Sequence, residues 1–212
     1  MPPTMDEERI RRLPGCKVWR EKQAGDIINF LFIGRFVPIK GFDVLLDALL
    51  PLQHDDRWNL LVVADTKDLT GDYGKGLQAR LPCFGGKVEL LGRIDELSDF
   101  IGILDKTDCL IVPSRLETVG LVIWEVHMAG IPVVAFSVGG IPFEIDDGVN
   151  GMLVDNAEMM SAALKRILDD PGFLNVLHAG TSLRTKERAE WTPLKLATCY
   201  KDVLESARTI MA

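Results

Sequence analysis

Six short runs of apolar residues, spaced along the chain, constrain its fold more than any other feature. They lie at residues 27–33, 58–64, 88–91, 109–112, 132–136 and 152–154. Runs without regular polar alternation are typical of strands that are covered on both faces. Strands joined by helices pair in parallel with right-handed crossovers. The chain is therefore expected to have an α/β fold, a doubly wound parallel sheet of about six strands.

Helical patterns fill most of the segments between these runs. The clearest follows the first run, where apolar residues share one face at helical spacing: Phe42, Leu45, Leu46, Leu49 and Leu52. Weaker patterns predict helices at about residues 77–81, 95–106 and 120–129. The polar, glycine-containing segment at 65–76 is predicted to be a loop that leads into the first of them.

The end of the chain is predicted to be helical, with Asp155 or Asn156 as the first cap and a break at Pro171. Further helices are expected at about residues 173–187 and from residue 192 onward. The first 26 residues show no sustained period, so a short helix or an irregular arm is expected there. The expected domains are therefore an N-terminal arm at 1–26 and one domain at 27–212.

Net charge and cysteine usage exclude several classes of function. A formal net charge of −7 argues against nucleic acid held by bulk electrostatics. A few local cations can still hold an anionic ligand, since charges are screened over about 8 Å.

No apolar run approaches the roughly 18 residues of a membrane span, and no signal peptide is recognised. Scattered cysteines without a CxxC pair predict reduced thiols in a cytoplasmic protein: Cys16, Cys83, Cys109 and Cys199.

The loops that follow the strands are the expected ligand-binding edge, because ligands of open parallel sheets lie beyond the carboxyl ends of the strands. After the first run, Arg35 and Lys40 flank a turn that contains Pro38. A guanidinium fork and a mobile ammonium suit a diphosphate. The alternative is that both are solvated surface charges.

A second part of this edge comes from residues 113–125. Gly120 would begin a helix whose free N–H groups and dipole attract an anion. The carboxylates of Glu117 and Glu125 cannot bind phosphate, but they can accept hydrogen bonds from vicinal hydroxyls of a sugar or ribose. For Glu125, a solvent-facing position on the helix is the alternative.

Other residues near this edge carry weaker signals. Gly139 and Gly140 predict a tight turn with positive φ and close approach of a ligand. His127, on an apolar helix, is predicted to be a packed residue and not a catalytic base. No metal site and no cofactor are expected, since no histidine and carboxylate cluster occurs and GxxxxGK[ST] and GxGxxG are absent.

Several motifs, in a fixed order, resemble those of one enzyme family. They are GRFVPIKG at 34–41, LLGRIDE at 90–96, PSRLETVGLVIWE at 113–125, AGIPVVAFSVGGIP at 129–142 and DGVNGMLVD at 147–155. Over about residues 27–210 the chain resembles the C-terminal, donor-binding domain of retaining glycosyltransferases of family 4, or group 1. The resemblance implies a single Rossmann-like domain, the C-terminal half of a two-domain GT-B fold.

The resemblance also implies a role for each matching residue. Arg35 and Lys40 would hold the donor diphosphate and offset charge on the departing nucleotide. Glu117 would contact hydroxyls of the transferred sugar, which makes these three residues the predicted catalytic set. Gly120 and Leu121 would offer backbone N–H groups to sugar and phosphate.

The same resemblance places Glu125 at the ribose hydroxyls and the backbone near Ile94 at the base. It implies a UDP-, GDP- or ADP-sugar donor and retaining transfer, without an obligatory metal, to a sugar or lipid-linked acceptor. In that family an N-terminal domain contributes the acceptor contacts, so this single domain is expected to be inactive unless a missing domain or partner chain completes it. Two alternatives stay open: a non-catalytic nucleotide-sugar-binding or assembly subunit, and a nucleotide-sugar epimerase, which the spacing of Glu117 and Glu125 disfavours.

The chain departs from the family pattern near the ligand-binding edge. Phe143 follows Pro142 where the family has a glutamate, and the carboxylate comes one place later, at Glu144. Residues 64–66 replace a glycine-rich turn, and residues 126–128 replace smaller residues. These departures bear on the loop geometry and the donor preference that the resemblance implies, and they leave both motif glutamates and both cations in place.

Overall fold

The computed structural model describes residues 7–118 and 120–189, in which helices and strands alternate. The elements are α1 (Glu7–Arg12), β1 (Ile28–Ile33), α2 (Phe42–Leu49), β2 (Trp58–Val63), α3 (Asp72–Arg80), β3 (Val88–Gly92), α4 (Leu97–Lys106), β4 (Cys109–Val112), α5 (Leu121–Met128), β5 (Val133–Phe136), β6 (Gly151–Val154), α6 (Ala157–Asp169) and α7 (Pro171–Ala189). Short 3-10 turns lie between some of them, including Pro38–Lys40 and Ile141–Phe143.

The described strands form one parallel sheet in the order β3-β2-β1-β4-β5-β6. This arrangement confirms the predicted doubly wound α/β fold. The order reverses between β1 and β4, where Phe30 lies opposite Cys109. Loops leaving the sheet at such a switch point diverge to opposite faces and leave a crevice between them.

Helices cover both faces of the sheet, which explains why the strands carry continuous apolar runs. On β1, Phe30 and Phe32 pack into a core with α2, α3 and α6 on one face. Leu31, which points to the other face, packs into a core with α4 and α5. The core therefore has two layers that share the sheet, and it fixes the carboxyl ends of the strands firmly in place.

One helix begins earlier than the sequence predicts. The helix expected at 77–81 is α3, and it includes part of the segment expected to be a loop. Gly74 makes this start possible, since a Cβ there would lie 2.3 Å from Cα of Leu69 in the preceding turn. Helix-weakening glycines therefore misled the prediction, because one of them serves close packing. The helix predicted from residue 192 lies outside the described residues.

Residues 13–26 pack against the domain on the side away from the carboxyl ends of the strands. Leu13 is fully buried in the core beside α5. Lys22 donates from Nζ to Asp108 at 2.7 Å, just before β4. Trp19 stacks on His178 of α7 with ring centroids 4.0 Å apart. This segment therefore joins the amino edge of the sheet to α7.

Candidate active site

A cleft of about 530 Å³ opens beyond the carboxyl ends of β1, β2 and β3 and reaches the start of α5. Its position at the switch point of the sheet is where ligands of doubly wound folds bind. Most of the predicted site residues line it: Arg35, Lys40, Ile94, Glu117, Gly120 and Leu121. The fold thus brings together residues that are far apart in sequence.

The turn that carries Lys40 depends on a glycine. Gly41 follows the Pro38–Lys40 turn with φ of 69°, which residues with a side chain rarely adopt. A Cβ at Gly41 would lie 2.0 Å from the carbonyl oxygen of Pro113. The loop after β1 can therefore pass against the loop after β4 only because this position has no side chain.

Arg115, in the loop after β4, clamps the same turn. Its backbone N–H donates to the carbonyl of Ile39 at 2.8 Å. Its guanidinium forms a two-pronged contact with Asp43 at 2.8 and 2.7 Å and donates to the carbonyl of Pro38 at 2.5 Å. Arg115 was not among the site residues predicted from the sequence. The available signal was its place in the motif at 113–125, two residues before Glu117.

Asp43 stays ionised in this arrangement. Partial burial alone would raise the pKa of its carboxyl, but hydrogen bonds from Arg115 and Tyr73 outweigh burial and lower that pKa to about 2. Burial and the hydrogen bond to Asp43 in turn raise the pKa of the Tyr73 hydroxyl to about 12. The contact between Arg115 and Asp43 is therefore a charged pair at every pH at which the fold would ordinarily be studied.

Glu117 is held from both its side chain and its backbone. Its carboxylate accepts from Nζ of Lys40 at 2.6 Å, which joins the loops after β1 and β4. Its carbonyl accepts from the N–H of Gly140 at 3.0 Å. Gly139 has φ of 55°, and a Cβ there would lie 1.9 Å from that carbonyl. Close approach at the predicted glycine turn is thus to protein backbone, and it fixes Glu117.

The start of α5 points its first N–H groups toward the cleft. Gly120 is the N-cap residue, and no described side chain caps this end of the helix. Leu121 and Val122, its first residues, line the cleft. The positive end of the helix dipole and these N–H groups attract negative charge. This end of the cleft suits an anion.

Charges of both signs line the rest of the cleft. Arg35 is 72% exposed, and its Nε lies 3.4 Å from the carboxylate of Asp68. Arg93 pairs with Asp95 at 2.6 Å on the exposed rim. Asp65 is a further acidic residue among the lining groups. Attraction for an anion therefore comes from the arrangement of individual groups, and not from a uniformly basic surface.

One predicted site residue lies apart from the others. Glu125 is half-buried one turn beyond Leu121 on α5, and it is not among the described residues that line the cleft. His127, further along this helix, is 3% exposed, as predicted for a packed residue. The structure thus gathers six of the seven predicted residues and leaves Glu125 behind them.

The displaced carboxylate at position 144 contacts the same helix. Glu144 accepts a hydrogen bond from the indole of Trp124 on α5. The preceding turn, Ile141–Phe143, directs the side chain of Phe143 into solvent, where it is 79% exposed. The departure from the family pattern therefore replaces a carboxylate at position 143 with an exposed aromatic ring and places the acidic group against α5.

Residues 7–118 and 120–189 contain no group of three or more histidine, cysteine, aspartate or glutamate side chains arranged to hold a metal ion. No described helix is long and apolar enough to span a membrane. Cys16, Cys83 and Cys109 have free thiols, whereas Cys199 lies outside the described residues.

The amino-acid sequence matches one family model and several curated proteins. The family model, described as glycosyl transferases group 1, matches residues 28–170. D-inositol 3-phosphate glycosyltransferase from Thermobispora bispora is 35% identical over 212 aligned positions, which cover 91% of this chain and 48% of that protein. The chain spans about half the length of these curated relatives.

Solved structures give the same result at the level of fold. HepE from Anabaena, crystallised with UDP and glucose, has a TM-score of 0.71 and 23% identity, covering 85% of this chain and 49% of HepE. The C-terminal domain of a glycosyl transferase group 1 family protein from Francisella tularensis has a TM-score of 0.71 and 20% identity. That likeness covers 84% of this chain and 96% of the Francisella domain. These likenesses confirm the predicted fold, one parallel-sheet half of a GT-B glycosyltransferase.

Proposed function

This chain belongs to the glycosyl transferases group 1 family, and we propose that it is the donor-binding half of a retaining glycosyltransferase. Its cleft would bind a nucleotide-diphosphate sugar and support transfer of the sugar to an acceptor held by a further domain or partner chain. One observation carries the proposal. Lys40 and Glu117, from loops after different strands, meet at 2.6 Å beside the uncapped start of α5.

The donor diphosphate would lie between Lys40, Arg35 and the first N–H groups of α5. In the free protein Lys40 is paired with Glu117, and both side chains remain partly exposed at 32% and 15%. The ammonium of Lys40 has three N–H donors, and Glu117 accepts from it at 2.6 Å. Phosphate can therefore bind a second donor of the same ammonium while the pair with Glu117 stays in place. The cations and the helix start would then offset charge on the departing nucleotide.

The sugar would lie on the Glu117 side of the phosphate. A carboxylate can accept two or more hydrogen bonds, so Glu117 can hold sugar hydroxyls while Lys40 bridges to the phosphate. Backbone N–H groups at Gly120 and Leu121 would fix the junction of sugar and phosphate. The Glu117 carboxylate is positioned for this by its own carbonyl, which the Gly140 N–H holds at 3.0 Å.

The base would lie near Ile94, whose backbone would meet it. We place Glu125 at the ribose hydroxyls, which requires a ribose that reaches past Leu121 to the next turn of α5. Retention of configuration and independence from metal belong to the same proposal. In it, Arg35, Lys40 and the helix dipole supply the positive charge that a divalent cation supplies in other phosphate sites.

A second candidate function uses the same cleft for binding alone. In that case the domain binds nucleotide sugar as a non-catalytic or assembly subunit. Assaying sugar transfer by the isolated chain, and again with a candidate partner domain, separates the two. Turnover in either assay supports the enzyme. Tight donor binding without turnover in both supports the binding subunit.

Calorimetric titration with UDP, GDP and ADP tests the proposed site. Replacing Lys40 with methionine should weaken binding of the preferred diphosphate by about 1–3 kcal/mol, the range for a charged hydrogen bond. Lys165→Met is the matched control, since Lys165 also pairs with one carboxylate at 2.6 Å but lies on α6, outside the cleft lining. Equal affinity of the wild type and both variants for the diphosphate would show that Lys40 does not contribute to binding.

A further inference from the structure

We propose that Arg115 is a positioning residue. Together with Asp43 it fixes the Pro38–Lys40 turn at the cleft, and so sets the affinity for a nucleoside diphosphate without touching the ligand. The inference rests on the proposed function of the cleft, and it extends that function to residues outside the cleft lining.

The contacts of Arg115 converge on the turn from several directions. Its backbone N–H binds Ile39 inside the turn, and its guanidinium binds the carbonyl of Pro38 at the first position of the turn. The same guanidinium is anchored to Asp43, in the first turn of α2. Arg115 therefore ties Lys40 to both the loop after β4 and the following helix.

An arginine fork is required for this geometry. The planar guanidinium serves both oxygens of Asp43 and a backbone carbonyl at once, at 2.8, 2.7 and 2.5 Å. A lysine ammonium keeps the charge but is a point donor on a flexible stem, and it cannot reproduce the fork. Tyr73 completes the anchor by donating to Asp43 at 2.7 Å. Arg115→Lys should thus loosen the turn while leaving the net charge unchanged.

Loosening this turn should act on ligand binding through Lys40. Lys40 is the last residue of the turn, and its own N–H donates to Val37 at 2.9 Å. If the turn samples several positions before binding, ordering it costs free energy that a fixed turn avoids. The loss of affinity should appear for ligands that contain a diphosphate and not for the matching nucleoside, which has no phosphate for Lys40 to bind.

Arg57 provides a matched control. It forms a fork with Asp55, with contacts of 2.9 and 2.6 Å, and donates to the carbonyl of Leu168 at 2.9 Å. Its side-chain exposure of 37% is close to the 44% of Arg115. The fork is of the same kind, although Arg57 also donates to Asp169 at 3.0 Å, and Arg57 lies at the amino end of β2. Arg57→Lys therefore shows how the loss of such a fork away from the cleft affects amide exchange and ligand affinity.

The first experiment needs no ligand. Amide hydrogen exchange of Lys40 and Gly41 should be about tenfold faster in Arg115→Lys than in the wild type, which corresponds to about 1.4 kcal/mol. Arg57→Lys should leave these amides unchanged. Equal exchange rates of these amides in the wild type and in Arg115→Lys would show that Arg115 does not fix the turn, whether or not the protein binds nucleotides. Asp43→Asn should reproduce the faster exchange if the anchor on α2 is required.

The second experiment measures affinity by calorimetry, with whichever of UDP, GDP and ADP the wild type binds most tightly and with its nucleoside. Arg115→Lys should weaken diphosphate binding about tenfold and leave nucleoside binding within about twofold. In a Lys40→Met background it should cause no further loss. Unchanged diphosphate affinity, or equal losses for nucleoside and diphosphate, would overturn the positioning role. If the wild type binds none of the three diphosphates, both the proposed function and the role of Arg115 in binding are contradicted. Hydrogen exchange then still tests whether Arg115 fixes the turn.

Discussion

Individual side chains in the cleft are held by protein partners that a donor would have to share or replace. Lys40 pairs with Glu117, and Arg35 lies beside Asp68. These contacts keep the cations near the cleft before a ligand arrives, and each cation has further N–H donors that a ligand can use. The free protein thus has its positive groups in position for phosphate.

The glycine at position 41 offers a direct test of how closely the loops are packed. Gly41→Ala would place a Cβ 2.0 Å from Pro113 O, in addition to the strain of positive φ. Gly85→Ala is the control, since Gly85 has φ of 60° with no described heavy atom within 4 Å of an added Cβ. Urea unfolding should show a loss of about 1–2 kcal/mol for the control and a distinctly larger loss for Gly41→Ala. Equal losses would mean that the loops separate easily.

Asp43 gives the fold a dependence on acid pH. Its pKa in the folded protein is about 2, compared with an ordinary value of 3.8. A carboxyl with a lowered pKa stabilises the fold above its unfolded pKa, and this contribution disappears as pH falls through the folded pKa. The difference in free energy of unfolding between wild type and Asp43→Asn should be about 1 kcal/mol or more at pH 6, after allowance for solvent screening. It should fall to about half by pH 3. A difference that is the same at both pH values contradicts the lowered pKa.

The residue types of the cleft could be predicted from the sequence, but their pairing could not. Arg35, Lys40 and Glu117 lie in motifs at the expected loops, because loops after parallel strands share one edge. That Lys40 would meet Glu117 depends on how the two loops cross, and this is set by Gly41 and Arg115. Neither residue shows in its local sequence which distant backbone it contacts.

Among the elements, α3 shows how local propensity and packing compete. The glycines at 74 and 76 weaken the helix, yet it begins at Asp72, before both of them. Gly74 is buried against the preceding turn, whereas Gly76 is exposed. Sequence patterns located the six strands and the other helices from α2 to α7 to within a few residues, since apolar periodicity reports burial, whereas the bounds of α1 were not predicted. They missed the start of α3, since close backbone packing leaves no periodic signal.

The two glycines of α3 should respond in opposite ways to the same substitution. Gly76→Ala should stabilise the protein by about 0.5–1 kcal/mol, because alanine favours the helix and no described heavy atom lies within 4 Å of its Cβ. Gly74→Ala should destabilise it, since the added Cβ would lie 2.3 Å from Cα of Leu69. Thermal and urea unfolding of both variants provide the measurement. Stabilisation by both would show that Gly74 is not closely packed.

At the scale of the whole molecule, the sheet order determines which loops meet. The reversal between β1 and β4 brings the Lys40 turn, the Glu117 loop and the start of α5 to one crevice. The glycine turn after β5 supports Glu117 from behind. The fold class followed from the spacing of apolar runs, whereas the shape of the crevice required the packed loops. The proposed donor site is therefore a property of the assembled sheet and of no single motif.

We propose that this domain, by itself, binds the phosphates of a nucleotide-sugar donor in that crevice. Calorimetry of the folded chain with a nucleoside, its monophosphate and its diphosphate tests this binding most directly, for uridine, guanosine and adenosine in turn. For one base we expect the affinity to rise with each phosphate, and the diphosphate to bind at least about tenfold more tightly than the nucleoside, or about 1.4 kcal/mol. A folded protein that binds no diphosphate at millimolar concentration, or binds nucleoside and diphosphate equally, would contradict it.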